Sequence, residues 1–150
     1  NLEFNGSIYY LIRHLGYKIM GYNIIKSIGF ITPFLTTIIM FYLLVVKNNQ
    51  KIKTILENMF LLLCFFYLIS MVVHPWYIIT ILYLGLFTKY NFQIIWSAVI
   101  FLTYSAYRSS NVEENFYLIG LEYILVFGFF IYDFFKREKI KAFSKKRSLL

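Results

Sequence analysis

The sequence predicts an all-α, polytopic membrane helix bundle: about five transmembrane helices preceded by an interfacial amphipathic helix, with the amino terminus outside and a basic tail in the cytoplasm. Three observations carry this. Hydrophobic residues make up 60% of the 150-residue chain and mean hydropathy is +0.66, well above the ~45–50% apolar usage of globular proteins, so the excess needs lipid as its solvent. Apolar runs long enough to cross a bilayer alternate with short polar turns. The net charge of +8 is gathered into those turns and the tail, which makes it a topology signal; no basic stripe crosses the apolar segments, so nucleic acid is not an expected partner.

Residues 2–20 place Phe4, Ile8, Leu11, Ile12, Leu15 and Ile19 on one helical stripe, with Asn5, Tyr9, Arg13, His14 and Lys18 largely on the rest. That pattern suits a helix lying in the interface. Gly21 ends it, and the run 28–46 follows, whose 19 residues at 1.5 Å each give roughly 28 Å, about the hydrocarbon thickness. A turn carrying Lys47, Lys51 and Lys53 leads to a second span, 54–73, with Glu57 near its start. His74 and Pro75 interrupt that run. Trp76 to Tyr107 has one charge, Lys89. A single helix of that length would be about 48 Å long, and Lys89 near its middle would cost ~2.5–3.5 kcal/mol, so two short spans, 75–88 and 92–107, turning at Lys89 are predicted. Arg108 to Glu114 form the next polar loop, 115–135 the fifth span with Glu122 inside it, and 136–150 the basic cytoplasmic tail. With this topology eleven Lys and Arg lie inside and four outside, as the positive-inside rule requires. A four-span model gives ten against four, so the cost of burying Lys89 decides between them. The whole chain reads as a single membrane domain. Because it opens on Asn1 with no insertion signal of its own, it is expected to be a portion of a longer protein.

Three polar, aromatic-rich stretches then fall on the outer face: Asn5 to Arg13, His74 to Tyr77, and Tyr107 to Asn111. The inner face has lysine-rich turns. Recognition is therefore expected at the outer leaflet, where Trp and Tyr stack on sugar rings and Arg pairs with phosphate; an aromatic belt with ordinary loops reads the same residues without a ligand. His74 precedes a proline suited to the first turn of a helix and reads as a capping histidine or a substrate contact. Without a second His or carboxylate at ligand spacing, no metal is expected. Trp76 and Tyr77 serve equally as interface anchors. Glu122, about 10 Å into its span, must face the bundle, find a partner or be neutral. Asp133, close to Lys136 and Arg137, reads as a surface charge. Cys64 is the sole cysteine, which excludes intrachain disulfides and cysteine-rich metal sites. Asn5-Gly6-Ser7 fits the short glycosylation acceptor pattern. No Walker loop, dinucleotide fingerprint, zinc-protease helix or nucleophile elbow is present, and no cofactor is expected.

The strings Phe4-Asn5-Gly6-Ser7-Ile8-Tyr9-Tyr10-Leu11-Ile12-Arg13, Val73-His74-Pro75-Trp76-Tyr77 and Leu121-Glu122-Tyr123 together resemble the carboxyl-terminal part of bacterial membrane mannosyltransferases of the GT-C type. The likeness extends from about Leu2 to Asp133, and His-Pro-Trp-Tyr at a break between spans is its most specific element. It implies an enzyme of the bacterial inner membrane, its site facing the periplasm or exterior, that takes a sugar from a polyprenyl-phosphate donor and passes it to a lipid-linked or glycan acceptor with inversion. It implies Arg13 and Arg108 at the donor phosphate, Tyr9, Tyr10, Trp76 and Tyr77 as stacking walls for sugar or prenyl chain, Asn5 and His74 as hydrogen-bonding groups, and Glu122 in support. Family members carry an acidic general base in a loop near their amino terminus, and no residue here matches it. The base is expected upstream, and this stretch alone is expected to be inactive. Two other readings stand beside the enzyme: a transporter or flippase portion, with Glu122 carrying a proton or pairing with a cation, and a non-catalytic subunit held to anionic lipid by its tail.

Overall fold

The computed structural model describes residues 3–24, 31–46, 51–108 and 113–147, and among them the chain is helical, with one isolated bridge as its only β pairing. Helix α1 is Ser7–Met20. It ends because Gly21 turns left-handed (φ 76°), where a glycine meets no Cβ penalty, and its N–H returns to the Tyr17 carbonyl at 3.1 Å. Helix α2, Ile31–Phe41, continues as a π-helical stretch, Tyr42–Val46; residues 28–30 of the first expected span lie outside the described residues, as do Lys26 and Lys47. Helix α3 is Ile52–Ile69.

The chain leaves the helix at Ser70, which is extended with ψ 146°, and is extended again at His74 with ψ 150°, as the residue before a proline is pushed out of the α region. Pro75–Tyr77 make a 3₁₀ turn into α4, Ile78–Gly85. The turn at 86–89, with Lys89 exposed, is closed by Thr88, whose hydroxyl donates to the Gly85 carbonyl at 2.9 Å. Helix α5, Phe92–Val99, tightens into a 3₁₀ extension, Ile100–Arg108. Helix α6 is Phe116–Arg147. The Asn115 side chain starts it, accepting from the N–H groups of Tyr117 and Leu118 at 3.0 and 3.3 Å. The last helix thus continues well into the basic tail.

Helices α2 to α6 pack in chain order, each on the next, apart from the connection through the 3₁₀ extension, while α1 lies across α3 and α6. The core between them holds Phe60, Cys64, Ile78, Ile81, Phe92, Trp96, Ile119, Tyr123 and Val126. Helices α4 and α5 approach closely at Gly85, where an added Cβ would fall 2.6 Å from the Gln93 side chain. Among the described residues two helical stretches are long and apolar enough to cross a membrane, Ile52–Ile69 and Phe116–Arg137, of 18 and 22 residues; Pro75–Gly85 and Phe92–Tyr107 are shorter apolar segments.

Far from α1 a second polar group holds the bundle. Asp133, 2% exposed, accepts from the backbone N–H groups of Asn91 and Phe92 at 2.5 and 2.8 Å, so it caps α5 from α6 instead of serving as a surface charge. Arg137, beside it, pairs with Glu57 of α3 and lies 4.3 Å over the Tyr90 ring. The reading of Asp133 as needing no partner beyond its basic neighbours is corrected by this cap: local sequence shows Lys136 and Arg137, but not the α5 terminus that folding brings in.

Candidate functional site

The site is built around the strap that precedes α1. Phe4 pairs in parallel with Val72: its N–H donates to the Met71 carbonyl at 3.0 Å, and its carbonyl accepts from Val73 at 2.8 Å. Ser7 secures the far side by donating to the Leu68 carbonyl at 2.7 Å. This lays Asn5 over the end of the bundle, fully buried and left-handed with φ 53°, a conformation that Asn tolerates better than most residues but that needs outside support. The support is threefold. Its N–H donates to Glu114 Oε1 at 2.6 Å, its carbonyl accepts from the Tyr123 hydroxyl at 2.8 Å, and its Nδ2 donates to Glu122 Oε1 at 3.1 Å. Trp96 Nε1 donates to the same Glu122 oxygen at 3.3 Å. Asn5 Oδ1 and Glu122 Oε2 are buried without a partner. With its amide enclosed and engaged, Asn5 is not presented as a glycosylation acceptor.

On the adjoining turns of α1, Tyr9 donates to Glu3 Oε1 at 2.6 Å, Arg13 pairs with the other oxygen of Glu3, and Tyr10 donates to Glu114 Oε2. The Arg13 guanidinium lies 4.7 Å above the Tyr10 ring. Burial, reinforced by the Glu3 carboxylate, pushes the Tyr9 phenol up to about 12; burial and Glu114 raise that of Tyr10 further. Both phenols therefore stay proton donors through the physiological range.

The His-Pro-Trp-Tyr break forms an aromatic wall beside the strap. The His74 ring lies between Trp76, at 4.3 Å and 10°, and Phe4, at 4.9 Å and 30°, with Tyr77 edge-on at 5.5 Å. Phe4 also meets Tyr107 at 5.8 Å. Trp76 keeps 54% of its surface exposed, whereas His74 Nδ1 is buried and unpartnered. Arg108 ends the 3₁₀ extension; its side chain lies outside the described residues, as do residues 109–112.

Two cavities meet at Phe116. One of about 530 Å³, open to the outside, has the polar side chains Ser105, Glu113, Glu114 and Asn115 on one part of its wall and Phe116, Tyr117 and Leu118 on the other. An apolar groove of about 640 Å³ starts at Gly6, Ser7 and Tyr10 and follows α6 past Gly120, Ile124 and Gly128 to Ile131. Nothing stands within 4 Å of where a Cβ would project from Gly120 or Gly128, so their lack of side chains keeps the groove open. Among the described residues, no three His, Cys, Asp or Glu side chains gather as metal ligands do.

Asn5, Tyr9, Tyr10, Arg13, His74, Trp76, Tyr77 and Glu122 thus lie at one end of the bundle, in two linked groups joined by Phe4 and Asn5. Sequence reasoning missed Glu3, Glu114, Trp96 and Tyr123 as parts of this centre. Trp96 carried the clearest signal, an indole N–H inside an apolar run that must find an acceptor. Comparison of the chain with known protein families, characterised proteins and solved structures finds no match.

Proposed function

We propose that this chain is the carboxyl-terminal part of a polytopic inner-membrane glycosyltransferase that moves a sugar, most simply mannose, from a polyprenyl-phosphate donor to a lipid-linked or glycan acceptor at the outer leaflet. The observation that carries the reading is the union of a partly polar cavity and an apolar groove at Phe116, a shape matched to a substrate with a hydrophilic head and a long hydrocarbon tail.

The setting supports a membrane. Beside their core residues, both helices leave large apolar side chains exposed, Met59 and Phe66 on α3 and Phe116, Ile124, Ile131 and Phe135 on α6, surface that is better covered by lipid than by water. The strap and the Asp133 cap bracket α6, 17 residues separating Phe116 from Asp133, which is roughly 25 Å of rise against a hydrocarbon core of about 30 Å. Together with the placement of lysines, this supports five spans with the strap end outside.

In this reading the prenyl tail lies along α6 and the sugar occupies the cavity at Glu113 and Glu114, whose carboxylates accept hydrogen bonds from hydroxyl groups. The phosphate sits toward Arg13, which keeps guanidinium donors beyond those engaged by Glu3, and toward Arg108. Beside that cavity, across the strap, His74 and Tyr77 back the exposed ring of Trp76, which offers a stacking face to the substrate, and the Asn5–Glu122 centre holds the strap that orients Tyr10 and Arg13. The general base is supplied from elsewhere in the protein. The test is sugar transfer by membranes carrying the full-length protein with Arg13→Ala or His74→Ala. Transfer is expected to be abolished in both at unchanged expression; normal transfer in both would overturn the proposal.

A further inference from the structure

The Asn5–Glu122 contact is half of a pair. One bond is made, from Asn5 Nδ2 to Glu122 Oε1 at 3.1 Å, and the remaining atom of each group, Asn5 Oδ1 and Glu122 Oε2, is buried without a partner. Both are acceptors as an amide and an ionised carboxylate present them, and both residues are 0% exposed, where an unmet polar atom is costly. No single repositioning of the amide cures this, since flipping Asn5 would remove the bond already made and set two oxygens together.

We infer that Glu122 carries a proton on Oε2 and donates it to Asn5 Oδ1, closing a two-bond acid–amide ring that makes Glu122 a positioning residue for the strap. A single proton satisfies both orphaned atoms, leaves Oε1 free to accept from Asn5 and from Trp96, and removes a charge that would otherwise stand in an apolar bundle. The groups around it supply no counter-charge. Asn5 comes from the strap, Trp96 from α5, and Tyr123 from the same helix; Tyr10 of α1 and Glu114 ahead of α6 lie beside Tyr123. The cation on this side whose side chain is described close by, Arg13, is held by Glu3. Loss of the proton to hydroxide at alkaline pH would leave an unmatched carboxylate under Asn5 and loosen the strap, so its hold is present at lower pH and lost as pH rises. This inference does not depend on the transferase reading.

The test is infrared spectroscopy of the protein in lipid nanodiscs, wild type against Glu122→Gln, with amide hydrogen exchange of Phe4 and Asn5 followed in parallel. The expected result is a protonated-carboxyl stretch in wild type at neutral pH that is absent from Glu122→Gln and disappears on raising the pH, together with loss of strap protection. Glu122→Gln, which forms the same ring with an amide N–H in place of the acid proton, is expected to keep that protection at both pH values. Absence of the band from folded wild type at neutral pH, as with an ionised carboxylate or a bridging water, would overturn the inference. So would a Glu122→Gln strap that exchanges freely at neutral pH.

Discussion

At the scale of single residues, Asn5 concentrates more of the site than any other side chain. Its backbone is left-handed and its N–H, C=O and Nδ2 each serve a different part of the chain: Glu114, Tyr123 and Glu122. Substituting Ala keeps the backbone bonds but forfeits the side-chain bond, leaves Glu122 facing an empty partner position, and gives up the tolerance of positive φ that Asn has over other residues with a Cβ; the expected cost is about 2–4 kcal/mol. Thermal unfolding in nanodiscs, followed by tryptophan fluorescence, measures it. Much of this centre could not be read from the sequence. Glu122 was legible as a carboxylate needing a partner, because a charge six residues into an apolar run has nowhere else to go. Its partners were not legible, because Asn5 is 117 positions away and looks like a loop residue until the strap docks. Glu3 and Glu114 were obscured for the same reason, each being an unremarkable charge at the edge of a helix in the linear chain.

At the scale of elements, helix placement and some termini, such as those at Gly21 and Asn115, follow from short-range rules, while one terminus follows from a long-range contact. The apolar runs and the Pro75 break announce helices and a discontinuity through periodicity and the restriction before proline. The start of α5 depends instead on Asp133, 41 and 42 residues away, which supplies the acceptor that its first N–H groups lack. Asp133→Ala leaves the buried Phe92 N–H and the part-buried Asn91 N–H without their acceptor and is expected to destabilise the bundle by about 2 kcal/mol, whereas Asp133→Asn keeps one acceptor oxygen and should cost about 1 kcal/mol. Equal losses in the two variants, measured by the same unfolding assay, would show that charge and not the cap is what matters. The Glu57–Arg137 pair nearby is partly exposed, with 23% and 17% of the two side chains accessible, and a separate contribution well below that of the cap is expected from it.

At the scale of the whole molecule, the decisive feature is the continuity from partly polar cavity to apolar groove along α6. The apolar runs foretold an all-helical chain, but not the groove, which arises where α1 crosses α6 and where Gly120 and Gly128 leave the helix surface bare. The most direct measurement is photolabelling of the full-length protein in nanodiscs with a radioactive polyprenyl phosphate carrying a photoreactive group in its chain, wild type against Gly128→Leu. A leucine at that position has room to project into the groove without displacing the packed core, and it removes the close packing of the tail on α6 that favours the groove over bulk lipid. The expected result is labelling of α6 between Phe116 and Ile131 that unlabelled polyprenyl phosphate competes away and that Gly128→Leu sharply reduces. Labelling indifferent to competitor, or unchanged in Gly128→Leu, would contradict a lipid-linked substrate in this groove.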